Sequence, residues 1–172
     1  SAGFNFSIVI QPADRTGSVS IGDVSYSSGT FTAVATYTHD GSEAASDSFT
    51  YRANDGEYNS STATATITIT GINDAPVAAA VSGSGIEGGT ITTTLIATDV
   101  DDIDPADFFS IVTQPTNTTG DVTIANPATY DAGSNTFTAV ATYTHDGSET
   151  LSDSFTYKAN DGDDDSNIST AN

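Results

Sequence analysis

A thirteen-residue string, Phe-Thr-Ala-Val-Ala-Thr-Tyr-Thr-His-Asp-Gly-Ser-Glu, occurs twice without a change, at residues 31–43 and 137–149, an offset of 106. The match continues from Ser46-Asp47-Ser48-Phe49-Thr50-Tyr51 to Ser152-Asp153-Ser154-Phe155-Thr156-Tyr157, and from Ala53-Asn54-Asp55-Gly56 to Ala159-Asn160-Asp161-Gly162. Upstream, Phe6-Ser7-Ile8-Val9 with Gln11-Pro12 matches Phe109-Ser110-Ile111-Val112 with Gln114-Pro115 at an offset of 103. The second copy therefore carries three additional residues, expected as a hairpin-loop insertion near Asn126–Asn135. This is a tandem duplication, so whatever the chain folds into, it folds into roughly twice.

Period-2 alternation sets the type of structure. Thr62–Thr70 reads Thr-Ala-Thr-Ala-Thr-Ile-Thr-Ile-Thr, which places Ala63, Ala65, Ile67 and Ile69 on one face and β-branched, polar Thr on the other. Phe31, Ala33, Ala35 and Tyr37 alternate with Thr32, Val34, Thr36 and Thr38, and the second copy repeats this. Phe49 with Tyr51, and Phe155 with Tyr157, are the expected aromatic centres of two cores. Asp-Gly pairs at 40, 55, 146 and 161 and Gly88-Gly89 mark turns. No stretch has a convincing 3.6-residue period. The expectation is all-β: tandem Greek-key sandwiches of roughly 100 residues each.

Charge narrows the partners. The 172 residues hold 23 Asp and Glu against 3 Lys and Arg, a formal net charge of −20. Phosphate recognition needs Lys and Arg, so nucleic acid is excluded as a partner, and so is an anionic membrane surface. No apolar run approaches a spanning length, which excludes membrane insertion by a helix. With no Cys there is neither a disulfide framework nor a thiolate metal site. The chain opens on Ser1 without Met and is read as a segment of something longer.

The repeat boundary falls at Gly71-Ile72-Asn73-Asp74-Ala75-Pro76, with Pro76 suited to the entry of a new first strand. The expected domains are 1–73 and 74–172. The second copy has an opening segment, Pro76–Asp104, without counterpart in the first. The first has a closing strand, Ser61–Thr70, without counterpart in the second. Each sandwich is thus expected to be incomplete, the first at its start and the second at its end.

The candidate chemistry is acidic. Asp99, Asp101, Asp102 and Asp104 crowd into six residues, with Asp107 just beyond. Unscreened carboxylates about 5 Å apart repel by on the order of 1 kcal/mol even in water. A hard cation reverses that sign, and Ca²⁺ takes 6–8 oxygens from carboxylates, carbonyls and Asn side chains. Asn73 and Asp74 at the boundary, and Asp55 with Glu57, add oxygens. The competing reading is solvated acidic turns. Asp161–Asn167 starts like an EF-hand loop but has Ser166 where Gly is required and no closing Glu, so EF-hand is rejected. His39 and His145 occupy equivalent places before Asp-Gly turns, with no partner nucleophile, and are read as turn-stabilising.

Together, the Glu-Gly-Gly loop at Glu87, the Ala-Thr-Asp-x-Asp segment of Ala97–Asp101, the Tyr-x-Ala-Asn-Asp-Gly turns and the Gly-x-Asn-Asp-Ala-Pro linker resemble bacterial cadherin-like tandem repeats. The His-Asp-Gly-Ser-Glu stretch followed by Asp-Ser-Phe-Thr-Tyr is similar to the chondroitin-sulfate-proteoglycan-type branch. The resemblance covers essentially the whole chain. It implies seven-stranded sandwiches strung end to end with Ca²⁺ at their junctions. It implies Asn73, Asp74, Asp99 and Asp101 as ligands, Asp161 in the loop that reaches toward the junction, and Glu87 serving the following junction; Asp102 and Asp55 are added as candidates by the acidic clustering alone. Ala75 replaces the linker's second Asn, and no clear Asp-Arg-Glu motif exists, which limits the expectation to one or two ions.

The leading expectation is a non-enzymatic spacer or adhesive segment of a large secreted or cell-surface protein, stiffened by calcium, whose partners are neighbouring repeats. A self-assembling extracellular filament, in which a neighbouring copy supplies the absent strand, is the alternative. A polysaccharide-binding module is the third, with Tyr26, Tyr58 and Tyr130 as its candidate platform.

Overall fold

Alternating Thr and apolar residues form strands in both copies, continuously over Thr136–Thr144 and only in part over the identical Phe31–Thr38. The computed structural model describes residues 3–102, 104, 106 and 108–172; Ile103 and Asp107 of the acidic segment lie outside them. The chain divides into two compact units, Ser1–Ile72 and Asn73–Asn172. Asn73 falls in the second, where its side chain is hydrogen-bonded.

In the second unit, β8 (Val77–Ala78), β9 (Thr90–Thr98), β10 (Phe109–Thr113), β11 (Thr123–Ile124), β12 (Thr129–Asp131), β13 (Thr136–Thr144), β14 (Phe155–Ala159) and β15 (Ser169–Ala171) make two antiparallel sheets. One has the order β11-β13-β9-β8, with β12 also on β13; the other is β10-β14-β15. Inward residues of the first sheet (Leu95, Ala97, Phe137, Ala139, Ala141) meet those of the second (Phe109, Phe155, Tyr157, Ala159, Ala171) in one core. Phe108 stacks on Phe137 at 3.8 Å between ring centres, burying the rim. Tyr157 is fully buried, and its hydroxyl donates across the sandwich to the carbonyl of Ala79. β8 is too short to hold itself, and the Asn167 side chain clamps it by pairing with both the N–H and the C=O of Ala78, each at 2.9 Å.

The first unit contains β1 (Asn5–Ile10), β2 (Ser20–Ile21), β3 (Ser25–Ser27), β4 (Thr30–Thr32), β5 (Ala35–Thr36), β6 (Ser46–Asn54) and β7 (Ala63–Thr68). β1-β6-β7 is a sheet matching β10-β14-β15, with the same register: Phe49 faces Ala65 as Phe155 faces Ala171. Its core is thin, with Pro12, Val19 and Phe49 the apolar side chains buried among the described residues. Phe4 takes the place of Phe108, stacking on Phe31 at 3.8 Å, although the two are offset by 104 rather than 103.

Two sequence expectations change in detail. The second copy was expected to lack its closing strand, yet β15 pairs with β14 as the opening three residues of β7 pair with β6. Its composition, Ser-Thr-Ala, hides the alternation that makes β7 conspicuous, and it is further held by a parallel bridge between Ala171 and Val81. The three-residue insertion is split. Tyr26 pairs with Phe31 across the two-residue turn Ser28-Gly29, both with positive φ, whereas Tyr130 pairs with Phe137 across a turn two residues longer. The remaining residue enters between Ile124 and Tyr130, where the Asn126–Pro127 peptide bond is cis.

Because Phe31 and Phe137 share an identical sequence context but not burial, the same substitution separates the two units. Phe137→Ala is expected to destabilise the second unit by about 3–5 kcal/mol, and Phe31→Ala to destabilise the first by clearly less. Denaturant titrations followed at probes placed in each unit check this; equal losses would mean that burial does not govern the difference.

Candidate cation-binding loops of the second unit

Three loops at the end of the second unit where β9 finishes bring most of the expected acidic residues together. Leaving β9, the chain turns at Asp99, whose Oδ1 accepts the N–H groups of Asp101 (2.9 Å) and Asp102 (3.0 Å). Asp101 in turn accepts the N–H of Asp74 through Oδ2 at 2.7 Å, and Asp102 accepts that of Asp104. Asn73 donates its side-chain amide to Asp161 (3.0 Å) and Asp164 (3.4 Å). Asp161 closes its own turn by accepting from Asp163 and Asp164. Partial desolvation, the largest single influence on Asp161, raises its pKa, but the donors from Asp164, Asn73 and Asp163 together hold it below the usual carboxylate value.

Asp99 stands apart. It is 3% exposed, and its second oxygen, Oδ2, is buried without a hydrogen-bond partner. A hollow of about 330 Å³, lined by Asp74, Ala75, Val77, Thr98, Asp99 and Val100, lies beside it. Among the described residues no three carboxylate or imidazole groups converge closely enough to form a metal-holding set. The carboxylates are instead turned onto backbone N–H groups.

The other expected ligands lie elsewhere. Glu87 precedes β9 and Asp99 follows it, so a nine-residue strand separates them; at about 3.3 Å per residue this is roughly 30 Å. Glu87 lines a larger cavity, about 730 Å³, with Ile86, Ile91, Tyr143, His145 and Leu151. Asp55 belongs to the first unit, where it caps its turn by accepting from Glu57 and Tyr58, and these donors lower its pKa. His145 Nδ1 accepts from Gly88 and Gly147, and His39 Nδ1 from Gly41, as expected of turn residues. Tyr130 packs on Phe137, while Tyr26 and Tyr58 are exposed.

A family model described as "Bacterial Ig domain" matches residues 4–69 and again 73–172. The chain belongs to that family. Bacterial Ig domains are structural or adhesive repeat modules, typically without catalytic activity and usually found in extracellular surface proteins. The match supports a tandem Ig-like repeat and does not select the cadherin-like or proteoglycan-type branch. No curated protein matches the chain. Among solved structures it is similar to an endo-fucoidan hydrolase of glycoside hydrolase family 107, at 18% identity and a TM-score of 0.38. That likeness covers 98% of this chain and 23% of the other. Among the described residues no helix is long and apolar enough to cross a membrane.

Both bacterial Ig units share a carboxylate knot that the sequence does not announce. Asp153 accepts the N–H groups of Thr116 (3.3 Å), Asn117 (2.7 Å) and Ser154 (2.8 Å), and the Tyr143 hydroxyl lies 3.3 Å away. Asp47 does the same with Ala13, Asp14, Ser48 and Tyr37. Desolvation raises the Tyr37 phenol to about 12, with the Asp47 carboxylate adding to it. For Asp153 desolvation is also the largest influence and pushes upward, but the backbone donors outweigh it and the pKa is lowered.

A carboxyl lowered below the roughly 3.9 of an unfolded-chain Asp contributes stability that is full above that value and is lost as pH falls through the folded pKa. The second unit should therefore keep its stability from neutral pH down to about 4 and lose it below. Asp153→Asn should cost about 1 kcal/mol at neutral pH and make the acid limb shallower. Thermal unfolding across a pH series measures both, and an acid limb unaltered by the substitution would remove Asp153 from the account.

Proposed function

We propose that this chain is a spacer or adhesive segment of a large extracellular protein, and that calcium at the linker end of the second unit stiffens the repeat array. The observation that carries the reading is Asp99: a buried carboxylate with an oxygen that has no donor, in a loop tied to Asp74 and Asp101. Burying an unpaired carboxylate oxygen is costly, and a hard cation offsets that cost. The carboxylates of Asp74, Asp99 and Asp101 do not converge in these loops, so binding would draw them together, with the Asn73 and Asp161 side chains nearby, into the oxygen-rich set that Ca²⁺ prefers. Binding there would fix residues 73 and 74, by which the second unit follows the first.

Extracellular modules hold calcium with dissociation constants of about 10⁻⁴–10⁻³ M. Calcium at about ten times its dissociation constant should stabilise the second unit by about 1.4 kcal/mol. Asp99→Asn, which keeps the shape and the Oδ1 acceptor, should abolish the increment. Small-angle scattering with calcium and with chelator should show a more extended and less variable particle in calcium. No calcium-dependent shift in the melting temperature would sink the site; a shift with unchanged scattering would keep the site and sink the stiffening role.

A further inference from the structure

We propose that the two His-Asp-Gly turns, at residues 39–41 and 145–147, are self-modifying sites at which the imidazole promotes conversion of Asp40 and Asp146 to isoaspartate. The chain supplies its own comparison. Asp-Gly turns occur at Asp40, Asp55, Asp146 and Asp161, and all four are built alike. In each, the carboxylate accepts the N–H two residues on, from Ser42 (3.0 Å), Glu57 (2.9 Å), Ser148 (2.9 Å) and Asp163 (2.8 Å). Each glycine has a positive φ, between 85° and 103°. All four carboxyls are held below the usual value, so ionisation does not tell them apart. What differs is the group that holds the glycine N–H. At Gly56 and Gly162 it is the carboxamide oxygen of Asn54 (2.7 Å) and of Asn160 (2.8 Å). At Gly41 and Gly147 it is Nδ1 of His39 (3.2 Å) and of His145 (3.0 Å).

Isoaspartate arises when the glycine nitrogen attacks the carboxyl carbon of the preceding Asp. A C–N bond forms, a carboxyl C–O bond breaks, and the oxygen departs as water, leaving a cyclic imide. Water then opens the imide at either carbonyl, which restores Asp or routes the main chain through the side chain. The amide proton must leave the nitrogen, and the departing oxygen must gain two protons. A carboxamide oxygen is too weak a base to take the first, whereas a neutral imidazole is suited to it. His145 Nδ1 accepts from Gly88 (3.2 Å) as well as from Gly147, so its lone pair faces the turn and the ring proton is on Nε2. The same nitrogen lies 4.0 Å from Oδ1 of Asp146. It therefore stands between the source of the proton and its destination: it takes one proton from the Gly147 nitrogen and passes it to the departing oxygen, and solvent supplies the other. His39 brings Nδ1 to Gly41 and Nε2 to 3.8 Å from the Asp40 carboxylate. Asp40 and Asp146 are exposed enough for water to reach the imide, and no heavy atom lies within 4 Å of where a Cβ would stand on Gly41 or Gly147.

The test incubates the full chain at neutral pH and maps isoaspartate at the four Asp-Gly sites by digestion and mass spectrometry. Asp40 and Asp146 should convert at least about tenfold faster than Asp55 and Asp161, a modest share of what a positioned base contributes. His145→Asn gives the turn the Asn-Asp-Gly sequence of residues 160–162, which keeps an acceptor for the Gly147 N–H and removes the base. Conversion at Asp146 should then fall to the rate at Asp161. His39→Asn asks the same of Asp40, at a ring less buried than His145, and keeps the question answerable should the first variant fold poorly. Conversion that is absent or equal at all four sites overturns the proposal, and so do variants that leave the rates unchanged. An advantage of the two histidine turns that persists undiminished in denaturant also overturns it, because the fold would then not be what places the base.

Discussion

The ladder between β9 and β13 is the contact on which the second unit depends. It closes a sheet whose inward residues, Leu95 and Ala97 from one strand and Phe137, Ala139 and Ala141 from the other, then face β10 and β14. Full burial of a Phe or Leu side chain contributes about 1.5–3 kcal/mol, so a core of this kind is assembled by topology rather than by composition. The first unit makes the point by subtraction. It has the same Phe31, Ala33 and Ala35, and even keeps the aromatic stack, with Phe4 standing in for Phe108. Stacking is local and survives without the ladder. Burial is not local, and does not.

That distinction also explains what was legible in the sequence. Strand positions and their inward faces follow from a period of two, and duplication supplies an internal check, so Phe49, Tyr51, Phe155 and Tyr157 could be placed without coordinates. β15 could not, because Ser-Thr-Ala carries no apolar alternation and is recognised only by its pairing with Phe155–Tyr157. The Asp153 knot was hidden for another reason. Its donors are backbone N–H groups of Thr116 and Asn117, 37 and 36 residues away, and a backbone donor leaves no mark in a sequence. Repetition of Asp-Ser-Phe-Thr-Tyr at 47 and 153 was the available signal, although it reads equally as ordinary strand.

The acidic loops show how one residue pattern serves two ends. Closely spaced Asp residues are what a calcium loop requires, and they are also what a chain of tight turns requires, because an Asp carboxylate caps the N–H groups two and three residues on. Asp55 and Asp161 follow the turn pattern in both copies, each accepting from positions two and three ahead. A chain with 23 acidic residues and 3 basic ones has few cationic side chains to balance them, and backbone donors take over that role. The pKa values of Asp40, Asp55 and Asp146 are lowered in this way, with backbone N–H donors as the largest cause.

Asp99 begins in the same manner, with Oδ1 accepting from Asp101 and Asp102, and then departs from it. Asp55 and Asp161 sit in loops whose carboxylates reach solvent or a further donor, whereas Asp99 is enclosed at the end of β9 with Oδ2 unpartnered. A turn alone does not require that burial: Asp55 makes the equivalent turn while exposed. What distinguishes the two positions is the linker. Asp101, one turn beyond Asp99, accepts the N–H of Asp74, so the enclosed carboxylate is coupled through a single residue to the segment that enters the second unit. A charge change at Asp99 acts directly on Asp101 and Asp102, and through Asp101 on Asp74. This is the physical reason for seeking calcium dependence in the linker rather than in the core.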